Sequence, residues 1–290
     1  MMLLIRQIGL VCLLFFMFSI STHAGNINFA KVLACGTQDA KAGCVKPTKK
    51  PKYYIEQSIK YFRTMETSVS VMVQPNYSKK VVRWEWEPWL LLTGYGKINL
   101  IWTDTLLKLF KTAYDKLDCR FFKKNPFGRC HVIFDYDGLK CPIYEEFTFN
   151  SKGEMTFIEA WTDKPGYLPY EDPKDHWGEG KNVWRLSTKI PGLGNKKGKL
   201  KLDSRGMKQM AKYDKDVKEF VRRAKAPYKE YFKELKHHAS DVLAGCNPPA
   251  LISHQLNRLD VLAAFKKFHA EIEKQKKELR KKSEKWKKRK

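Results

Sequence analysis

Three turn signals constrain this chain more than any other feature of its sequence. Asn125-Pro126-Phe127-Gly128, Asp137-Gly138 and Asn150-Ser151-Lys152-Gly153 punctuate a stretch rich in β-branched and aromatic residues. Asp-Gly is a strong two-residue hairpin signal, because both central positions of a type I′ turn need positive φ. Asn, Pro, Ser and Gly clusters mark the other two reversals. The segments between them (Cys119 to Phe122, Arg129 to Tyr136, Cys141 to Phe149, Met155 to Trp161) therefore read as four strands of an antiparallel meander.

Upstream, Ile55, Ile59, Phe62 and Met65 recur at helical spacing between Tyr53 and about Thr67. Val81 to Trp89 alternates Val82, Trp84 and Trp86 with Arg83, Glu85 and Glu87, a strand pattern ended by Pro88. Thr105 to Leu117 returns to helical spacing through Leu106, Leu107, Leu109, Phe110 and Ala113. After Asp163 the chain is rich in Pro, Gly, Asp and Trp to about Gly194, which reads as a long ordered loop packed on the sheet. Helical patterns resume from Met207 to about Leu235, interrupted at Pro227, and again from Leu251.

The two ends carry different information. Arg6 precedes an apolar run from Ile8 to Ile20, and Ser21-Thr22-His23-Ala24 lead to Gly25, the grammar of a secretory signal cleaved after Ala24. An uncleaved anchor is the rival reading, but a spanning helix needs about 20 apolar residues and this run is shorter. Export to the periplasm or beyond fits the cysteines. Cys35, Cys44, Cys119, Cys130, Cys141 and Cys246 follow the signal, an even set suited to disulfides in an oxidising compartment. Cys35 and Cys44 bracket a short loop and are the first expected pair; a zinc site lacks any close Cys-x-x-Cys. Charge concentrates at the other end: residues 191–290 hold 29 Lys and Arg against 12 Asp and Glu, a net +17 of the chain's +25.

The order helix, helix, curved meander, ending in Phe-Thr-Phe-Asn-x-x-Gly-Glu-Met-Thr-Phe-Ile-Glu-Ala-Trp-x-Asp (Phe147 to Asp163), resembles the nuclear-transport-factor-2-like superfamily over about residues 53–163. That group includes ketosteroid isomerase, scytalone dehydratase and the SnoaL-like cyclases. The resemblance implies a cone-shaped α+β fold, and by analogy a homodimer. No Asp, Tyr or His aligns with the superfamily's catalytic positions, and this fold says little about chemistry. The expected class is α+β, with N-terminal helices packed on a curved antiparallel meander and a basic helical C-terminal region behind it. The expected parts are a signal peptide at 1–24, an irregular leader at 25–50, the cone-like domain at 51–190, a basic linker at 191–204 and the basic helical region at 205–290.

Strand parity gives one sharp expectation about chemistry. It places Val132, Phe134, Ile143, Phe147, Phe149, Met155, Phe157 and Trp161 on one apolar face, with Glu145 and Glu159 nearly opposite each other on the same face. Two carboxylates in an apolar setting cannot both ionise without large cost, so one has a raised pKa, as a general acid or base needs. A register slip or a bulge would instead send one glutamate to the other face, and Arg83 or a lysine offers each a partner. Trp84, Trp86, Phe134, Phe147, Phe157 and Trp161 are the expected pocket wall. His131 and Asp135 share the opposite strand face and are weaker candidates. His237, His238, His254 and His269 lack metal-ligand spacing, so no metal is expected, and nothing calls for a cofactor.

Lys274 to Lys290 packs 11 Lys and Arg with two acidic residues into 17 positions around Trp286. Lys281, Lys282, Lys285, Lys287, Lys288 and Arg289 are the expected polyanion contacts, by charge and counterion release. Outside the cytoplasm the fitting polyanion is an anionic membrane or cell-envelope surface, and nucleic acid ranks below it. A solvated, charged helix end is the alternative. The leading expectation is a binding module: a cone holding a small apolar ligand, with a tail for the envelope. The others are a ketosteroid isomerase- or dehydratase-like enzyme using Glu145 or Glu159, and a structural protein with a filled cone.

Overall fold

A computed structural model describes residues 45–70, 72–86, 94–108, 111–180, 182–190, 193, 200–225, 246 and 270. The expected signal, most of the leader with Cys35 and Cys44, the C-terminal histidines and the tail lysines lie outside the described residues.

The fold is α+β. Pro51, pre-set for a first helical turn, opens α1 (Pro51–Arg63). It is followed by β1 (Tyr77–Glu85), β2 (Gly94–Tyr95) and α2 (Lys97–Leu107), then by the meander β3 (Thr112–Phe121), β4 (Gly128–Tyr136), β5 (Leu139–Phe149) and β6 (Met155–Thr162). One curved six-stranded sheet results, in the order β2-β1-β6-β5-β4-β3. The Asp137-Gly138 turn takes the positive φ its residues favour, +56° and +96°. β1 lies beside β6 in parallel, the one contact that leaves the antiparallel pattern of the meander.

Helix α1 covers the inner face of the sheet. Its buried side is Tyr54, Ser58, Tyr61 and Phe62, rotated from the Ile55–Ile59 stripe that sequence spacing picks out. The aromatic rings fill the curvature: Tyr54 meets Phe149 at 5.0 Å, Tyr61 meets Phe147 at 5.0 Å, and Phe62 meets Phe134 at 5.9 Å. Each fully buried ring contributes about 1.5–3 kcal/mol relative to exposure. Gly128 marks the closest approach, since a Cβ there would stand 2.2 Å from Ser58 Oγ.

Two sequence expectations are corrected. The helix expected from Thr105 to Leu117 stops at Leu107; Lys111 reverses the chain at φ +50° and Thr112 onward pairs with β4. Cross-strand pairing overrides the local spacing there. The helix expected from Met207 is broken at Asp214 into α4 (Arg205–Tyr213) and α5 (Lys215–Lys225), after the one-turn α3 (Leu186–Lys189). Asp214 itself caps α5 by accepting from the Asp216 and Val217 amides.

The outer face of the sheet is also covered. All eight residues of β6 are buried. Residues 163–180 and 182–190 run across this face as a strap, and α5 packs Phe220 against Trp84 and Phe157 at 5.8 and 5.9 Å. Among the described residues two disulfides fix the sheet. Cys119–Cys130 joins directly paired positions of β3 and β4, and Cys141–Cys246 ties β5 to the chain beyond α5. Among the described residues no helix is long and apolar enough to cross a membrane.

Candidate functional site

A polar cluster sits inside the curved sheet among the aromatic rings. Arg83 projects from β1 and is 1% exposed. Its Nη1 donates to Asp104 Oδ1 at 2.7 Å and to Tyr61 Oη at 3.1 Å, and its Nη2 donates to Thr103 Oγ1 at 2.6 Å. Asp104 Oδ2 accepts from Thr64 Oγ1 at 2.8 Å and Tyr77 Oη at 3.3 Å. Helices α1 and α2 thus supply Tyr61, Thr64, Thr103 and Asp104 to a guanidinium offered by the sheet. Burial raises the Asp104 carboxyl, with Arg83 pulling the other way.

Glu145 completes the cluster. Ala160 of β6 pairs with Glu145 on one side and with Glu85 of β1 on the other, so both carboxylates lie in one row across a small residue. Two strand spacings separate their backbones, about 9–10 Å. Glu145 is buried, and burial holds its carboxyl well above the ordinary value against the opposing pull of Arg83. Its Oε2, like Arg83 Nε, is closed off and has no hydrogen-bond partner. Glu85 Oε1 lies 3.6 Å from Arg83 Nε, an ion-pair contact beyond hydrogen-bond length.

Glu159 is not beside Glu145. The β5–β6 pairing passes from Phe149↔Met155 to Thr148↔Phe157, leaving Thr156 as an extra residue. This bulge reverses parity along the rest of β6. Ile158 and Ala160 then face inward, while Phe157, Glu159 and Trp161 face outward. Glu159 is directly opposite Glu146 instead. The expectation of a Glu145–Glu159 pair on one face is therefore corrected, and Glu85 takes the place of Glu159 in the inner row. Among the expected wall residues, Phe134 and Phe147 are in the inner core; Trp84, Trp86, Phe157 and Trp161 belong to the outer face, packed against the strap and α5.

The outer glutamates hold the strap. Arg185 forks onto both oxygens of Glu146, with Nη2 to Oε1 at 2.7 Å and Nε to Oε2, and its Nη2 also donates to the Gly178 carbonyl at 2.6 Å. Arg129 Nε stands 3.7 Å from Glu146, and Tyr144 Oη donates to it at 2.7 Å. Burial pushes the Glu146 carboxyl up, but Arg185 and then Arg129 outweigh it and hold it below its ordinary value. Glu159 accepts from the Leu186 amide, the Ser187 amide at 3.0 Å and Trp86 Nε1 at 2.8 Å. Burial, then the neighbouring Glu146, raise it to about 7. His131 Nδ1 meets Asp163 at 3.2 Å and Nε2 meets the His176 carbonyl at 2.9 Å, a further tie to the strap. Asp135 pairs with Lys140 at the hairpin end. Among the described residues no group of His, Cys, Asp and Glu is arranged to hold a metal.

Sequence reasoning missed Tyr61, Tyr77, Glu85 and Asp104 and gave Arg83 only a pairing role. One signal was present: Asp104 is the single acid in the largely apolar run from Ile98 to Leu107.

The architecture defines a class, an α+β protein whose curved sheet is closed on its inner face by helices. No family model matches the chain, and no curated protein does. Solved structures are similar to part of the chain, at low identity. The epoxide hydrolase/cyclase-like enzyme SalBIII of pyran-ring formation in the polyether salinomycin is 10% identical, with 38% of this chain and 89% of that one covered and a TM-score of 0.30. A de novo designed protein with a curved β-sheet is 14% identical, with 44% and 92% covered and a TM-score of 0.31. An uncharacterised bacterial protein with a cystatin-like fold, from Silicibacter pomeroyi, is 12% identical, with 37% and 71% covered and a TM-score of 0.24.

Proposed function

We propose that this chain is an exported member of the nuclear-transport-factor-2-like superfamily that binds a small apolar molecule inside its cone, with one polar group of that molecule held at Glu145 and Arg83. The observation that carries the reading is the pair of buried polar atoms without a hydrogen bond, Glu145 Oε2 and Arg83 Nε, set among aromatic rings. Buried polar atoms in native proteins are almost always hydrogen-bonded, and unpaired ones ask for a functional cause. An apolar wall with a few convergent polar groups is the usual make-up of a small-molecule site. Two disulfides fit an oxidising compartment. The basic tail, through Lys281, Lys282, Lys285, Lys287, Lys288 and Arg289, associates with an anionic envelope surface.

A second reading rests on the carboxyl of Glu145, which burial holds well above its ordinary value beside Arg83 and Tyr61. A neutral acid beside a guanidinium and a tyrosine can deliver a proton to a bound oxygen, the role of a general acid in a cofactor-independent isomerase or lyase.

Glu145→Gln tests the site. Because the folded pKa is raised, the Glu145 contribution to stability is present below its ordinary value of about 4.3 and fades as the pH climbs through the folded pKa. The glutamine variant loses this slope, so its melting temperature gains on the parent from pH 4 to pH 8. The bound probe is 2-naphthol, an apolar bicycle with one hydroxyl. It is expected to bind the parent and to bind the variant about five- to tenfold more weakly, the scale of one hydrogen bond. A parent that ignores 2-naphthol, with a flat pH difference, ends the reading.

The tail is tested separately. Removing residues 274–290 is expected to abolish co-sedimentation with phosphatidylglycerol vesicles at low salt. Unchanged sedimentation removes the tail from the account.

A further inference from the structure

A concavity of about 620 Å³ lies on the outer face, lined by Trp84, Trp86, Tyr167, Trp184, Glu219 and Arg223 among others. Its walls come from three elements distant in sequence: the end of β1, the strap and α5. Trp86 stands edge-on to Trp84 at 5.6 Å and to Trp184 at 4.7 Å. The Arg223 guanidinium lies 4.3 Å over the Trp84 ring, steadied by Glu219 at 2.8 Å. Trp184 is 38% exposed, and Trp86 and Tyr167 are half-buried.

The aromatic wall is fixed before any ligand arrives. Glu159, buried beneath it, accepts from Trp86 Nε1 and from the amides of Leu186 and Ser187, directly after Trp184 and Arg185. Glu159 thereby holds the Trp86 indole directly and anchors the strap just beyond Trp184, whose ring stands edge-on to Trp86 at 4.7 Å; a pre-ordered wall loses little entropy on binding. Leaving a rigid indole in water at the floor of a groove forgoes burial energy, which marks binding surfaces.

The charges around the groove identify the ligand's chemistry. Glu219 is paired with Arg222 and Arg223, which hold its carboxyl at about 2, and Asp216 is paired with Lys189 at 2.6 Å. On a chain of net +25, this rim is locally balanced, which does not fit a polyanion. It offers carboxylate acceptors, a guanidinium and an exposed ammonium at Lys215 around aromatic rings. A molecule with an apolar C–H face and hydroxyls at its edge matches all of these.

We propose that this groove binds a neutral saccharide, one sugar ring packed on Trp184 and Trp86 with hydroxyls bonded to Glu219 and Lys215. The test uses the full chain from residue 25, screened on a broad array of neutral and charged glycans, then titrated by tryptophan fluorescence with a soluble oligosaccharide that binds. Trp184→Ala is expected to weaken binding about tenfold or more, on the scale of an aromatic hot spot. Trp184→Phe restores most of it, while 2-naphthol binding at the inner site is unchanged in both variants. An array on which no neutral glycan binds overturns the proposal. So does binding confined to anionic glycans and erased by salt, or binding that survives Trp184→Ala within twofold.

Discussion

Replacing Arg185 by alanine is expected to destabilise the protein by about 3–5 kcal/mol, the cost of leaving a buried carboxylate without its partner. Arg185 is 3% exposed and Glu146 is 1% exposed, and the guanidinium bonds both Glu146 oxygens and the Gly178 carbonyl. Arg129 at 3.7 Å and the Tyr144 hydroxyl do not replace a bidentate fork. A typical domain is stable by about 5–15 kcal/mol, so the variant loses a large part of its margin. Lysine at this position recovers little, because an ammonium cannot bond both oxygens in one plane. Urea unfolding at pH 7 reads the loss directly; a change below about 1 kcal/mol would show that the strap is held by its aromatic packing instead.

The sign of the pH dependence separates Glu146 from the other two buried glutamates, Glu145 and Glu159. Glu146 is held below its ordinary value, so its contribution is present above that value and disappears as the pH falls through the folded pKa. The gap between the parent and Arg185→Ala is therefore expected to narrow in acid. Glu159, raised to about 7, runs the other way: its contribution fades as the pH rises from about 4.3 through 7. Glu145 behaves like Glu159. The two directions are distinguishable in one series of melting curves.

The second large effect comes from the Cys141–Cys246 bridge. Its sequence separation of 105 makes it the longer-range of the two bridges among the described residues. Closing a loop of about 100 residues constrains the unfolded ensemble by about 4.7 kcal/mol in the chain-entropy model. A Cys141→Ala, Cys246→Ala double variant is expected to lose stability on that scale. Cys119→Ala, Cys130→Ala is expected to lose less, about 3 kcal/mol or below, because its loop is short. The separation is 11, and strand pairing already holds those residues opposite each other. Equal losses in the two double variants, measured by urea unfolding, would show that native-state packing and not loop closure sets the effect.

The sequence by itself determined the meander. Three turn signals, at Asn125–Gly128, Asp137–Gly138 and Asn150–Gly153, place the strands from β4 to β6 within a few residues of their observed bounds, because backbone conformations at positive φ and local reversals are written in residue type. It also put a helix before the sheet, and strand parity set Glu145 on the apolar face of β5 while leaving a register slip or bulge open. Spacing within one strand is a local property, and β5 keeps strict alternation along that stretch.

Only the tertiary structure decided the rest. The Thr156 bulge is one residue of extra backbone, with no Gly or Pro to announce it, and it moved Phe157, Glu159 and Trp161 to the outer face. Thr112 to Leu117 carries a spacing compatible with a helix, and pairing with β4 made it a strand. Trp84 and Trp86 sat on the expected apolar side of β1, but which face of the sheet that side joined depended on the parallel partner β6. The inner site draws Tyr61, Arg83, Asp104 and Glu145 from four separate elements. Their meeting is a matter of long-range packing, where the cost of burying a charge selects partners that no local pattern records.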